Sequence, residues 1–332
     1  MAKNPYHFIL LIITNLLVIL FVIELGLRVY SSFFIVYDLE MHKYAIELKR
    51  ISNTSGLIHE HIPNAKAKLM NVGFNINSMG FRDDEISLGK NPDQYRIMVL
   101  GCSNTVGWGV EQENVFTALI EKKLNKTKFP VEYQVINAGV GNYNTLLESI
   151  QIKDRIQHLD PNMVILHYYI NDAEIILNED VGLFIRSSYL FAFLKNRLKY
   201  HKFKREYQNL GSYYLQLYET DSEGWLSAQN AFLDIKEICR KNDAILLVAL
   251  QPDLHNISRE SGQHKCHKII TSFLSDHKIS YLDLIDSYRT NVKEDIKSLW
   301  VHPNDAHPNI EGHRIIFEAL SPVLDSILHK FQ

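Results

Sequence analysis

Cysteine is scarce in this 332-residue chain. Cys102, Cys239 and Cys266 are the only three, too few and too scattered for a disulfide framework. At most one bridge can form, so the redox compartment is left open. An excess of charge of either sign is also missing. The 35 basic residues against 38 acidic ones give a net charge of −3, which supplies no general drive toward nucleic acid. With 15 glycines and 9 prolines the chain is no collagen-like fibre, and 46% hydrophobic residues exclude a disordered tail. Internal repeats and low-complexity tracts are absent, and a single long apolar run excludes a many-span membrane protein. What remains is a globular protein large enough for one sizeable core or two small ones.

The apolar run covers residues 8–27, FILLIITNLLVILFVIELGL. At 1.5 Å per residue it reaches about 30 Å, the thickness of a bilayer's hydrocarbon core. Thr14 and Asn15 can bond back to the helix backbone, and Glu24 lies near the end of the run, within reach of the interface. A cleaved signal peptide would be followed by an A-x-A pattern, which is missing. A buried core helix would show a polar face, and this run has almost none. The run therefore reads as a single-pass anchor in membrane lipid, residues 1–29. Lys3 and Arg28 flank it on opposite sides, so charge gives little help with orientation. A short tail before a single span commonly stays cytoplasmic, which places residues 30–332 outside the cytoplasm, in the periplasm if the source is bacterial.

Residues 30–92 read as a linker and entry segment without a long period. From there strand-like and helix-like stretches alternate. Residues 95–101 (YRIMVLG), 131–139 (VEYQVINAG), 163–169 (MVILHYY), 244–250 (AILLVAL) and 279–285 (ISYLDLI) read as strands. Residues 116–124, 146–159, 269–277 and 310–331 carry helical spacing. Near-continuous apolar strands separated by helices predict a three-layer α/β sandwich around a five-stranded parallel sheet covered on both faces. Ligands in such sheets bind beyond the carboxyl ends of the strands. Residues 173–235 break the alternation. They mix Arg186, Lys195, Arg197, Lys199, Lys202, Lys204 and Arg205 with Tyr189, Phe191, Phe193, Tyr200 and Phe203, as in a lid, a face resting on lipid head groups or a solvated helical insertion.

The first strand runs into GCSNTVGWGV, where Gly101, Ser103, Thr105, Gly107 and Gly109 form G-x-S-x-T-x-G-x-G. Small residues let the backbone turn sharply, and a serine at a strand end exposes its hydroxyl beside the N–H groups of a helix start. The lysine of a phosphate-binding P-loop is absent, and Thr105 stands where an α/β-hydrolase elbow has its second glycine. The second strand ends in NAGVGNYNT, residues 137–145, and the third in YINDA, which sets Asn171 at the sheet edge, where an amide can donate to an oxyanion. Near the C-terminus, HPNDAHPNIEGH (residues 302–313) brings Asp305 within two residues of His307, close enough for the carboxylate to orient the imidazole. A metal set of His302, His307 and His313 matches no zinc spacing. His264, Cys266 and His267 read as a surface helix.

Together these four segments, in this order over about residues 95–320, resemble the SGNH/GDSL hydrolase family. The stretch NSMGFRDDE, residues 77–85, resembles an entry segment of its membrane-anchored members. The resemblance implies an SGNH/flavodoxin-like hydrolase domain over residues 93–332, with the helical insertion at about 173–235. It makes Ser103 the nucleophile, His307 the base and Asp305 its orienting partner. It implies an oxyanion hole from the Ser103 backbone N–H, a backbone N–H at Gly141 or Asn142, and the Asn171 side chain. The chain departs from the family at Cys102, which stands in place of an aspartate, and at Tyr169, in place of a glycine. Its Asp-His spacing is two rather than the commoner three, which would land on Asn304. A thiol nucleophile at Cys102 is disfavoured because alternation along the strand turns it away from Ser103. The implied activity is ester cleavage through an acyl-serine, on an acylated surface glycan or a lipid-linked substrate, with no cofactor and no metal. Transfer of the acyl group to a sugar, fed by a membrane acyl-transfer partner, or a non-catalytic scaffold role is the alternative.

Overall fold

A computed structural model describes residues 5–126, 131–176, 187–292 and 295–329. The chain divides into two compact units, Met1–Ile46 with Glu179–Glu206, and Glu47–Asn178 with Tyr207–Gln332.

In the first unit the apolar run lies in the helix Pro5–Phe33. Its stretch Tyr6–Phe33 is long and apolar enough to cross a membrane, and the most apolar 18-residue window in it is 0% buried, as no core helix would be. The helices Tyr37–Glu47 and Tyr189–Glu206 complete the unit. Glu24 has a structural use. Its carboxylate pairs with Arg28 at 2.7 Å and accepts hydrogen bonds from the Ser188 hydroxyl and the Tyr189 and Leu190 amides. These amides open the helix Tyr189–Glu206, whose first turn lacks intrahelical acceptors, so the carboxylate acts as its cap. Of the basic residues named above, Arg186 falls outside the described residues. Lys195 to Arg205 lie on this helix, where Phe191, Leu194, Leu198 and Tyr200 are exposed.

The second unit is built on a five-stranded sheet. Its strands are β5 (Gln94–Gly101), β6 (Glu132–Asn137), β7 (Met163–Tyr169), β8 (Ile245–Gln251) and β9 (Ser280–Asp283). They lie in the order β6-β5-β7-β8-β9, all parallel, the doubly wound 2-1-3-4-5 order of flavodoxin-like sheets. Side chains alternate between the two faces. Met98, Leu100, Val164, Leu166 and Val248 pack with Ile152, Phe232 and Ile270 from the helices Thr145–Leu159, Glu223–Lys241 and Gly262–Asp276. Ile97, Val99, Met163, Ile165 and Leu247 pack on the other side with Phe116, Ile120, Ile316 and Leu320 from the helices Phe116–Leu124 and Ile310–Leu328. Both faces are covered, which is why the strands read as unbroken apolar runs.

Two sequence expectations change here. The helix Gly262–Asp276 starts seven residues earlier than its apolar spacing indicates. Its start is amphipathic rather than wholly on the surface: Lys265 and Lys268 are exposed, while Cys266 and His267 are buried, with His267 Nδ1 2.9 Å from Asp283 Oδ1. Within residues 30–92, the second unit also forms two short antiparallel hairpins. They pair β1 (Lys49–Ile51) with β2 (His59–His61) and β3 (Lys66–Leu69) with β4 (Val72–Asn75). Three- and four-residue strands are too short to leave a period in the sequence.

Candidate active site

Chain order reverses between β5 and β7, because the chain leaves β5 for β6 on one side and returns to β7 on the other. The crevice opens at that point, beyond the carboxyl ends of the strands. β5 ends at Gly101, and Ser103 opens a one-turn helix, Ser103–Val106. At the first helical position its N–H has no intrahelical acceptor. The turn is tight enough to demand glycine. Gly101 has φ +153°, and a Cβ there would stand 2.0 Å from the Thr105 hydroxyl oxygen. Thr105 Oγ1 in turn lies 2.9 Å from His167 Nδ1 on β7. The loop after β6 comes equally close, since a Cβ on Gly139 would lie 2.5 Å from the Val106 nitrogen.

The hairpin formed by β10 (Trp300–His302) and β11 (Asp305–Pro308) carries the imidazole to the serine. His307 Nε2 lies 2.8 Å from Ser103 Oγ, and His307 Nδ1 lies 2.5 Å from Asp305 Oδ1. Asp305 also accepts a hydrogen bond from the indole Nε1 of Trp108 at 2.9 Å and from the His307 amide at 3.2 Å. Burial pushes the Asp305 carboxyl upward, but His307 and these donors outweigh it and hold the group below its ordinary value. Trp108 sits between the last two glycines of the serine motif. Its contact is invisible in sequence because its partner is 197 residues away.

Asn142 adopts φ +64°, and the Tyr143 amide donates to the Val140 carbonyl across it. The loop is tied to β5, since the Val140 amide donates to the Gly101 carbonyl at 3.0 Å. The Gly141 carbonyl accepts from Lys49 Nζ at 3.1 Å and meets His59 Nε2 at 3.0 Å. A peptide plane sets its C=O and N–H in opposite directions, so this clamp fixes the Asn142 N–H to face away from β1 and β2. Lys49 and His59 had no signal in the sequence beyond lying in the entry segment. Asn171 follows β7 by two residues in a turn closed by the Asp172 amide on the Tyr169 carbonyl.

Arg82, from the stretch NSMGFRDDE, is fully buried and closes the back of the serine turn. Its guanidinium donates to the carbonyls of Val106, Gly107, Gly73 and Val110 and stacks 3.7 Å over the Phe74 ring.

Cys102 is buried, with its thiol hydrogen-bonded to Asp172. Burial, then the charges of Asp172 and Glu148, push the thiol well above its ordinary value, so it stays protonated. Glu148 and Asp172 are themselves buried beside each other. Burial drives both carboxyls well above the usual range, and neither Glu148 oxygen has a hydrogen-bond partner among the described residues.

The three histidines weighed as a metal set part company. His302 Nδ1 accepts from the Asn304 amide, His307 Nε2 lies against Ser103 Oγ, and His313 is buried in a stack on Phe116. Among the described residues no group of three or more His, Cys, Asp or Glu side chains is arranged to hold a metal ion.

No family model and no curated protein matches the chain. Solved structures do. An acetyl xylan esterase is 16% identical over 69% of this chain and 98% of its own, with a TM-score of 0.45. A psychrotrophic esterase from Pseudoalteromonas sp. is 12% identical over 70% of this chain and 98% of its own, with a TM-score of 0.44. A member of the lipolytic protein G-D-S-L family from Veillonella parvula is 10% identical over 69% of this chain and 97% of its own, with a TM-score of 0.42. These are likenesses at low identity, and the reading of the site rests on its own geometry.

Proposed function

We propose that the protein is a membrane-anchored serine esterase of SGNH type that acts, through an acyl-serine intermediate, on an O-acylated glycan or lipid-linked substrate. The observation that carries this reading is the relay of Ser103 Oγ, His307 Nε2 at 2.8 Å, and Asp305 Oδ1 at 2.5 Å from His307 Nδ1, the nucleophile–base–orienter arrangement of acyl transfer.

In the first half-reaction His307 Nε2 takes the Ser103 proton as Oγ bonds to the ester carbonyl carbon. The carbonyl π electrons move to oxygen, and the resulting oxyanion is received by the Ser103 N–H, the Asn142 N–H and the Asn171 amide. Such donors contribute about 3 kcal/mol each to the transition state. Collapse breaks the bond to the alcohol oxygen, which leaves with the proton from His307. In the second half-reaction His307 takes a proton from water, the hydroxide attacks the acyl-serine, and Ser103 recovers its proton as the carboxylic acid departs. Asp305, ionised throughout, holds the imidazole and offsets its transient positive charge. A sugar hydroxyl in the place of water turns the same steps into O-acyl transfer.

The unburied helix Tyr6–Phe33 supports the anchor. A fluorophosphonate probe tests the chemistry: it should label the native protein and lose its target in Ser103→Ala. Folded protein that takes no label would overturn the reading.

A further inference from the structure

A second histidine–aspartate pair stands at the same sheet edge and takes no part in the chemistry above. β8 ends at Gln251, and two residues on lies Asp253, 2% exposed and saturated by donors. Its Oδ2 accepts from the hydroxyls of Tyr214 at 2.6 Å and Tyr169 at 2.9 Å. Its Oδ1 accepts from the His255 amide at 2.6 Å and lies 2.7 Å from His255 Nδ1. The imidazole is thereby fixed, yet its side chain is 47% exposed, and Nε2, on the far edge of the ring, has no hydrogen-bond partner among the described residues. Such a fixed polar edge is the form recognition groups take. Tyr169, the residue standing where the SGNH pattern has glycine, is thus explained: its hydroxyl helps to hold this pair.

His255 lines a cleft of about 420 Å³, within the range of small-ligand sites. The lining decides what fits. Asn209, Tyr214, Asn256, Glu260 and Gln263 share it with His255, and Leu210 is its one aliphatic side chain. A fatty acyl chain would find Leu210 as its only aliphatic side chain, and a bare anion would meet Glu260 and Asp253. A neutral, hydroxyl-rich group finds donors and acceptors on every side.

Two strands link the cleft to the serine site. Gln251 pairs in register with Tyr169, two residues before Asn171. The His255 ring meets the edge of Trp300 at 5.0 Å, and Trp300 lies on β10, opposite the strand that carries Asp305 and His307. The Asp305 charge reaches His255, after the direct bond to Asp253, as one of the causes that raise it.

We infer that this cleft is a carbohydrate subsite, in which the edge of His255 presented by Asp253, Tyr169 and Tyr214 hydrogen-bonds a hydroxyl of the sugar half of the substrate. The inference deepens the esterase reading and rests on it for the reaction, though not for binding. The sugar enters either as the alcohol of the ester or as the acceptor of the acyl group.

The test compares the full-length protein in detergent micelles with His255→Gln, using p-nitrophenyl acetate and acetylated xylo-, manno- and chito-oligosaccharides. The ratio of kcat/KM for the best sugar ester to that for the p-nitrophenyl ester should fall about 10-fold in the variant. A ratio within 2-fold of the wild type would overturn the inference, whether the two activities fall together or stay put. Acetyl transfer from p-nitrophenyl acetate to the unacetylated sugars identifies the acceptor case, and its absence with hydrolysis intact identifies the alcohol case. Wild-type protein that cleaves no ester and takes no fluorophosphonate refutes the esterase reading alone. The cleft is then judged by the tryptophan emission of a Trp108→Phe, Trp225→Phe background, which leaves Trp300 beside His255, on adding the unacetylated oligosaccharides. Quenching that weakens when His255→Gln is added sustains it, and an unmoved spectrum in that background refutes it.

Discussion

At the scale of single residues, the site depends on how Asp305 is kept charged while buried. Three hydrogen-bonding groups surround it, two from His307 and one from Trp108. Asp305→Asn keeps the shape but disturbs the imidazole tautomer, and kcat for a simple acetyl ester is expected to fall by roughly 10³–10⁴. Trp108→Phe removes one neutral donor and leaves a carboxylate oxygen buried without it. A fall of about 10-fold in the fluorophosphonate labelling rate is expected there. Cys102 carries the opposite lesson. Beside the buried Glu148 and Asp172, an aspartate in its place would add a third buried acid, and a neutral thiol avoids that desolvation. The departure from the SGNH pattern was readable in the sequence. Its reason was not, because Glu148 and Asp172 reach Cys102 only through the fold.

At the scale of elements, the strands and helices with long apolar periods were legible. The helix Phe116–Leu124 and the strand Met163–Tyr169 match their sequence boundaries, since both bury a continuous stripe or run. Gly262, Gln263, His264 and Lys265 hid the first turn of the helix Gly262–Asp276 because none supplies an apolar contact of the right period. The candidate serine stood out because it ends an apolar run in a small-residue motif, and the aspartate and histidine because they stand two residues apart in HPNDAHPNIEGH. Lys49, His59 and Trp108 did not, because each acts through a contact made by the fold rather than by a neighbour in sequence; the Asp253–His255 pair has the spacing of Asp305 and His307, but its tyrosine partners lie 39 and 84 residues away. Arg82 is the sharpest test of how the entry segment supports the serine turn. Arg82→Met strips charge-assisted donors from four carbonyls, three of them buried, and denaturant unfolding should show a loss of roughly 3–5 kcal/mol. A loss below about 1 kcal/mol would mean that water replaces the guanidinium.

For the whole molecule, buried groups of opposite tendency set the pH range of stability. Burial, the largest cause in each case, lowers His61 and His313 to about 3 and His167 to about 4. Their contributions are complete above the unfolded value near 6.5 and are lost as pH falls toward the folded values. Glu148 and Asp172 are raised, so their contribution is complete below about 4 and is lost as pH rises through their folded values. Stability measured by denaturant should therefore peak near pH 6 and decline toward pH 8. In Glu148→Gln, which carries no proton to lose, the alkaline decline should flatten. An unchanged alkaline limb would show that the pair is not what sets it. The apolar helix makes a separate prediction at this scale: the protein stays in the membrane pellet through a carbonate wash, where a peripheral or soluble protein would be released.

The clamp on the Gly141 carbonyl has a practical consequence for anyone preparing a soluble form. A version trimmed to begin at the first strand of the central sheet would lose Lys49 and His59, and with them the restraint on a peptide at the mouth of the crevice. If the esterase proposal holds, such a truncation keeps the sheet and the serine relay and turns over esters slowly. A useful starting point lies upstream of Lys49, where the lysine-bearing hairpin is retained and the greasy N-terminal helix is not.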